Sequence, residues 1–155
     1  MPQLVKGGKH VFGWSKVGDK GVIKIPPEVS EEYQLRPSDK VIIISGSKTS
    51  GGFSIVKFEV LKNSPLSVIL NDNPDLAKFN ISRGKPIQYS NHFYCWTEIS
   101  KNGKIHLPIE KLRLYGIKPG DNILSARGSG LGIGFIVRGP IIQEAEKHSE
   151  LKTYQ

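Results

Sequence analysis

The chain has a single cysteine, Cys95, among its 155 residues. No intrachain disulfide framework can form, so a reducing, cytoplasmic setting is expected. There is no apolar run of the roughly eighteen residues that a membrane-spanning helix requires. The opening MPQLVKGGKH lacks the apolar centre of a secretion signal. No run of consecutive Lys or Arg forms a basic tail. No Walker loop or nucleophile elbow occurs, although Ser, His and Asp are all present. An enzyme, a resident cofactor or a membrane partner is therefore not expected.

What the chain does have is positive charge and a repeat. The formal net charge is +8, which favours an anionic partner such as nucleic acid. Residues 10–57 carry seven Lys/Arg against five Asp/Glu, and residues 92–139 carry seven against three. The excess is thus heavier in the second half.

Shifted by 82 positions, the sequence matches itself without a gap from residue 10 to residue 53, with thirteen identities in 44 positions. They include His10/His92, Trp14/Trp96, Gly21/Gly103, Ile23/Ile105, Pro26/Pro108, Tyr33/Tyr115, Asp39/Asp121 and Phe53/Phe135. Most fall on turn, helix-entry or apolar positions. The segment GVIKIPPEVSEEYQLRPSD (21–39) therefore returns as GKIHLPIEKLRLYGIKPGD (103–121).

Each copy reads as β-β-α-β-β. Residues 11–17 and 93–99 are rich in aromatic and β-branched residues and read as strands. Turns at 18–21 and 100–103 follow, Asn102-Gly103 being a strong hairpin signal. In the return strands, 22–25 and 104–107, Ile alternates with Lys24 or His106, so one face is apolar. Pro26 and Pro108 end the strand and suit a helix entrance, with Glu28 and Glu110 in the first turn. Gly116 reads as a helix stop, whereas Gln34 holds that place in the first copy. Arg36-Pro-Ser-Asp39 and Lys118-Pro-Gly-Asp121 are turns in which Asp binds its own backbone. Strands at 41–44 and 123–126 lead through glycine-rich loops to last strands at 53–60 and 134–138. A unit of this size buries too little surface to stand alone, so two copies packed together are expected.

The connection, residues 58–91, holds the apolar run Pro65–Leu70, expected to be buried, and Asn73, a candidate helix start. It is a candidate for an extra strand or short helix. Residues 140–155 read as a charged helix or tail.

This order of strand, turn, Gly, strand, Ile/Leu-Pro, short helix, turn and Asp resembles the AbrB/MazE/SpoVT family of swapped-hairpin DNA-binding domains. The residues that carry it are Gly21, Ile23, Ile25, Pro26, Leu35 and Asp39, and Gly103, Ile105, Leu107, Pro108, Ile117, Gly120 and Asp121. The resemblance implies a mainly β fold with short helices: a swapped-hairpin barrel. Two copies in one chain, as in MraZ-type proteins, imply an intramolecular pseudo-dimer from repeats 10–57 and 92–139, either monomeric or paired further as a homodimer. It also implies DNA as partner and a role in transcription regulation. The family's contacts come from basic side chains before the hairpin turn, after its glycine and on the helix. Those positions hold Ser15, Val22, Ser30 and Glu31 in the first copy, and Thr97, Lys104, Leu112 and Arg113 in the second. The expected DNA-binding set is Lys16, Lys20, Lys24, Lys101, Asn102, Lys104, Arg113 and Arg127.

Three other readings stand beside this one. The chain could keep the fold and hold a protein partner, as an antitoxin or scaffold does, through residues 61–91 or the C-terminal helix. The glycine-rich loops 45–52 and 127–134 could cradle a phosphate, against the simpler reading of plain β-β connections. The His-x-x-x-Trp pairs could form a ligand site across the pseudo-twofold axis, against simple packing. His92-x-x-Cys95 is half of a zinc pattern without a second half.

Overall fold

The computed structural model describes residues 10–127 and 131–155. The first repeat forms β1 (Val11–Lys16), β2 (Val22–Lys24), helix α1 (Pro27–Glu32), β3 (Lys40–Ser45) and β4 (Phe53–Lys57). The connection forms α2 (Phe58–Lys62), a 3-10 turn (Pro65–Ser67), α3 (Val68–Asp72), α4 (Pro74–Ala77) and β5 (Ile87–Tyr89). The second repeat gives β6 (His92–Glu98), β7 (Lys104–His106), a 3-10 helix (Ile109–Tyr115), β8 (Asn122–Arg127) and β9 (Ile133–Ile136). Helix α5 (Pro140–Ala145) and β10 (Thr153–Tyr154) end the chain. The fold is mainly β with short helices; the element order is the expected one in the first repeat, and in the second a 3-10 helix stands in place of the expected α-helix.

Local chemistry explains the boundaries. A proline occupies the first turn of α1, where a missing N–H costs nothing, and Glu28 sits in that turn. Gly116 closes the second helix in the left-handed conformation, at φ 70°. Gln34 adopts the same conformation, at φ 53°, and its carbonyl accepts a 2.9 Å bond from Lys57. Asp39 and Asp121 accept the backbone N–H of Arg36 and Lys118 at 2.9 and 3.0 Å, as turn residues should.

The pairing runs between the repeats. β1 pairs antiparallel with β8, and β3 with β6. Each repeat's first strand is therefore bonded to the other repeat's third strand. β4 pairs with its equivalent β9, and β2 with its equivalent β7. Only β3–β4 and β8–β9 are hairpins within one repeat. The eight-stranded sheet runs β10-β1-β8-β9-β4-β3-β6-β5, and β2–β7 is a separate ribbon.

Two expectations need correction. β1–β2 and β6–β7 are not hairpin ladders. Two backbone bonds close each turn, Gly18 N–H to Val22 O and Gly21 N–H to Gly18 O at 2.9 and 3.0 Å, and Ser100 N–H to Lys104 O and Gly103 N–H to Ser100 O at 2.9 and 3.0 Å, and the chain then crosses over to form the ribbon. Nor does the sheet close into a barrel among the described residues, because its ends, β10 and β5, do not pair with each other. The added strands instead cover the outer edges of β1 and β6.

The core between the sheet's inner face, the ribbon and the two helices holds Ile23, Ile25, Ile105, Leu107, Phe53 and Phe135. Two further clusters lie on the outer face. Ile42, Val56, Tyr94 and Trp96 are covered by Leu61, Ile69, Leu70 and Leu76 of the connection. Val11, Leu124 and Ala126 are covered by Ala145, with Trp14, Ile141, Ile142 and Leu151 packed around them. The apolar run of the connection is thus only half buried, because Leu66 and Val68 stay 43% and 47% exposed. The helical turns bury one face, carrying Ile69 and Leu70, and turn Leu66 and Val68 to the surface. Asn73 precedes α4 without capping it; its side chain donates to the Ile69 carbonyl at 2.8 Å. The C-terminal stretch is a short helix and a strand parallel to β1, not one long helix.

Gly21 is required by close approach. A Cβ there would lie 2.0 Å from the Leu107 carbonyl oxygen, at φ 80°. At Gly103, φ 71°, the nearest atom is the movable Lys24 Nζ, 3.1 Å away. We expect Gly103→Ala to cost about 1–2 kcal/mol, the left-handed strain alone. Gly21→Ala should cost more than about 3 kcal/mol, since backbone must also move. Denaturant melts of the two variants check this; equal losses would refute it.

Candidate nucleic-acid interface

The β2–β7 ribbon brings the repeated segments face to face. Its register sets Val22 opposite His106, Ile23 opposite Ile105 and Lys24 opposite Lys104. Side chains alternate across a strand, so Ile23 and Ile105 are buried while Lys24, Lys104 and His106 take the outer face. The turns lie against the opposite repeat: Leu107 N–H donates to Gly21 O at 3.0 Å, and Ile25 N–H to Gly103 O at 2.9 Å.

Two side chains reinforce this crossing. The Lys24 ammonium donates to the Asn102 carbonyl. His106 donates from Nε2 to the Lys20 carbonyl at 2.7 Å. Lys24 and His106 are equivalent positions of the repeat, as are Lys20 and Asn102. The same cross-link is therefore made twice with different residues.

The ribbon and its turns thus gather Lys20, Lys24, Lys101, Asn102 and Lys104. Lys20, Lys101 and Asn102 are exposed. None of the four lysines forms an ion pair among the described residues. Beside the ribbon lies a cleft of about 360 Å³, lined in part by Lys101, Lys104, His106, Arg83 and Thr97. Arg83 bonds Glu98 at 2.7 Å and lies over the Trp96 ring at 5.5 Å.

The other expected residues lie apart. Lys16 ends β1, is exposed and stands opposite Asn122. Arg113, in the last turn of the 3-10 helix, lines a different cleft with the loop 45–52. Arg127 forms a two-pronged pair with Glu32, at 2.7 and 3.1 Å. That hydrogen-bonded carboxylate holds its guanidinium above the ordinary value. Five of the eight residues are therefore brought together, and Lys16 and the two arginines are placed elsewhere. Sequence reasoning missed His106 and Arg83. His106 could have been found from its repeat equivalence with Lys24; Arg83 comes from the connection and has no such signal.

The other motifs separate as well. His92 and Cys95 are three apart on a strand and face opposite sides, so one metal ion cannot be held by both. The His92 ring lies 2.9 Å from the Ser45 carbonyl, while Cys95 is in the inner core, 3.5 Å from the Tyr115 hydroxyl. No group of three or more His, Cys, Asp or Glu that could hold a metal occurs among the described residues. Trp14 and Trp96 belong to different outer clusters, so the His/Trp pairs do not form one site. Trp96 Nε1 donates to Ile81 O at 2.6 Å. In the loop 127–134, residues 128–130 lie outside the described residues. No helix among the described residues is long and apolar enough to cross a membrane.

One equivalent pair breaks the symmetry of the crossing. Ser15 Oγ donates to Lys24 O at 2.7 Å. Its counterpart Thr97 is fully buried, and its Oγ1 has no partner among the described residues. We expect Ser15→Ala to cost about 1 kcal/mol, whereas Thr97→Val should be neutral or stabilising. Thermal melts decide, and a large loss for Thr97→Val would mean the hydroxyl is bonded. Burial pushes the Cys95 thiol up to about 11, away from the reactive thiolate. Iodoacetamide at a pH of about 8 should therefore label Cys95 only after denaturation. Fast labelling of the native protein would contradict its buried placement.

Comparison with protein-family models, curated proteins and solved structures finds no match for this chain.

Proposed function

We propose that the chain is an intramolecular pseudo-dimer of the AbrB-like, swapped-hairpin type. In this reading it is a transcription regulator, not an enzyme, that binds duplex DNA through the β2–β7 ribbon. The observation that carries it is the convergence of Lys20, Lys24, Lys101 and Lys104 around one short antiparallel ribbon, with Lys24 directly opposite Lys104. A two-stranded ribbon fits the major groove of B-DNA, and ammonium groups on its outer face meet phosphates. Asn102, exposed at the tip of a turn, is the side chain suited to reading a base edge. The strand exchange between repeats supports the pseudo-dimer assignment.

The charge count sets the expected salt dependence. Four neutralised phosphates correspond to a slope of roughly −3.6 in log K against log salt. Fluorescence anisotropy against random and genomic duplexes, at several salt concentrations, measures it. Lys101→Ala/Lys104→Ala should weaken binding and remove roughly 1.8 of the slope, with an unchanged melting temperature. Arg127→Ala should leave the slope alone, because that charge is already paired. No binding at low salt would end the DNA reading; binding unaffected by the double substitution would end the ribbon assignment.

A protein-interaction role is the second reading. It is favoured by Val60, Leu66 and Val68, which leave apolar surface 40–47% exposed on the connection. If a protein co-purifies with the chain, Leu66→Asp/Val68→Asp should release it while the ribbon variant keeps it. The opposite pattern would remove this reading.

A further inference from the structure

A second cleft, of about 280 Å³, lies between the glycine-rich loop 45–52 and the 3-10 helix Ile109–Tyr115. Its lining includes Lys48, Arg113, Arg138, Asn91 and Phe93, and no Asp or Glu. We infer that this cleft binds the phosphate group of a small phosphorylated molecule. The inference does not rest on the ribbon or on DNA binding.

The loop is built, not loose. Gly46 N–H donates to Gly52 O at 2.9 Å and Gly51 N–H to Ser47 O at 2.8 Å. Ser50 O accepts the N–H groups of Val137 and Arg138 at 3.0 and 3.1 Å. Gly52 N–H donates to Tyr115 O at 2.8 Å, which ties the loop to the helix. Gly52 has to be glycine, since a Cβ there would lie 1.8 Å from Phe135 O.

Arg138 is fixed in place with its charge unspent. Its Nη2 and Nε donate to the Lys48 carbonyl at 2.8 and 3.3 Å. Its Nη1 fills space that a side chain would take at two left-handed glycines, 2.9 Å from a Cβ built on Gly51 and 3.2 Å from one on Gly116. A neutral carbonyl holds the group, and no carboxylate pairs with the cation among the described residues. Two of the five guanidinium donors are used there, and the rest suit an anion's oxygens. Arg113 and Lys48 form no ion pair among the described residues. Three cations around one recess without a counter-charge repel one another, and an anion relieves that cost.

The fold alone does not demand this arrangement. In the first repeat Glu31 stands where Arg113 stands in the second, and the neighbouring Glu32 neutralises Arg127. Among the described residues, Arg113 keeps its positive charge unpaired where Arg127 does not. The half-buried ring of Phe93 and the exposed amide of Asn91 add an apolar face and a hydrogen-bonding group at the same recess. They fit an organic body attached to the phosphate. The volume suits a sugar phosphate or nucleoside monophosphate.

Amide NMR of the full chain tests this, titrating inorganic phosphate, glucose 6-phosphate and adenosine monophosphate against chloride at matched ionic strength. We expect saturable shifts at Gly46, Gly51, Gly52 and Gly116, with a monoester binding more tightly than inorganic phosphate. Lys48→Ala/Arg113→Ala changes two exposed side chains and should keep the fold. It should weaken the response by about tenfold or more. Lys101→Ala/Lys104→Ala should leave the response intact, which separates this cleft from the ribbon. Shifts that never saturate, or that survive in the Lys48/Arg113 variant, would overturn the inference. So would saturation by a short duplex but by none of the three phosphates, since the cleft would then hold DNA backbone.

Discussion

The pairing of each repeat's first strand with the other repeat's third strand is the constraint on which this structure depends. β1 lies on β8 and β3 on β6, so the two repeats share one sheet. The turn after each first strand cannot then fold back as a hairpin. It carries the chain across, and the two return strands have only each other to pair with. The β2–β7 ribbon results directly, with Ile23 and Ile105 sealing the core beneath it. Gly21 permits the contact with Leu107, and the Lys24 and His106 side chains lock the two turns.

The same exchange makes the outer face of the sheet a problem solved twice. A sheet with apolar side chains on both faces needs cover on both. In one half the connection supplies it, with Leu61, Ile69, Leu70 and Leu76 on Trp96 and its neighbours. In the other half the C-terminal segment supplies it, with Ala145 and Leu151 near Trp14. The two tryptophans are equivalent in the repeat but differ in setting, and neither is left facing the other. Segments outside the repeat are thus structural parts, and they also protect the outer edges of β1 and β6 through β10 and β5.

Charge breaks the symmetry that the backbone keeps. The ribbon carries lysines from both repeats, whereas the charges at the ends of the two repeats' helices differ, Glu31 and Glu32 in one and Arg113 in the other. One recess gathers Lys48, Arg113 and Arg138, while at the first repeat's helix Arg127 is neutralised by Glu32. The residues that set turns and core are held by geometry in both copies, and the exposed positions are free to differ.

The repeat, the element order and the turns were legible from sequence because they rest on local chemistry. Proline has no N–H to continue a strand, Asp39 and Asp121 bind their own turns, and Gly116 tolerates a left-handed φ. Alternation likewise marked Ile23 and Ile105 as inward and Lys24 as outward. Which strand pairs with which was not legible, since Asn102-Gly103 signals a turn equally well whether or not its flanking strands bond each other. The grouping of side chains followed from that pairing. Lys24 and Lys104 are 80 residues apart and meet by register, while Arg113, only nine residues beyond Lys104, is carried by the intervening helix to another cleft. The sequence by itself determined the elements and their inward faces, because those depend on neighbours within a few residues. Tertiary structure alone decided the strand partners, the open sheet and the assembly of each basic cluster, because those depend on contacts between repeats.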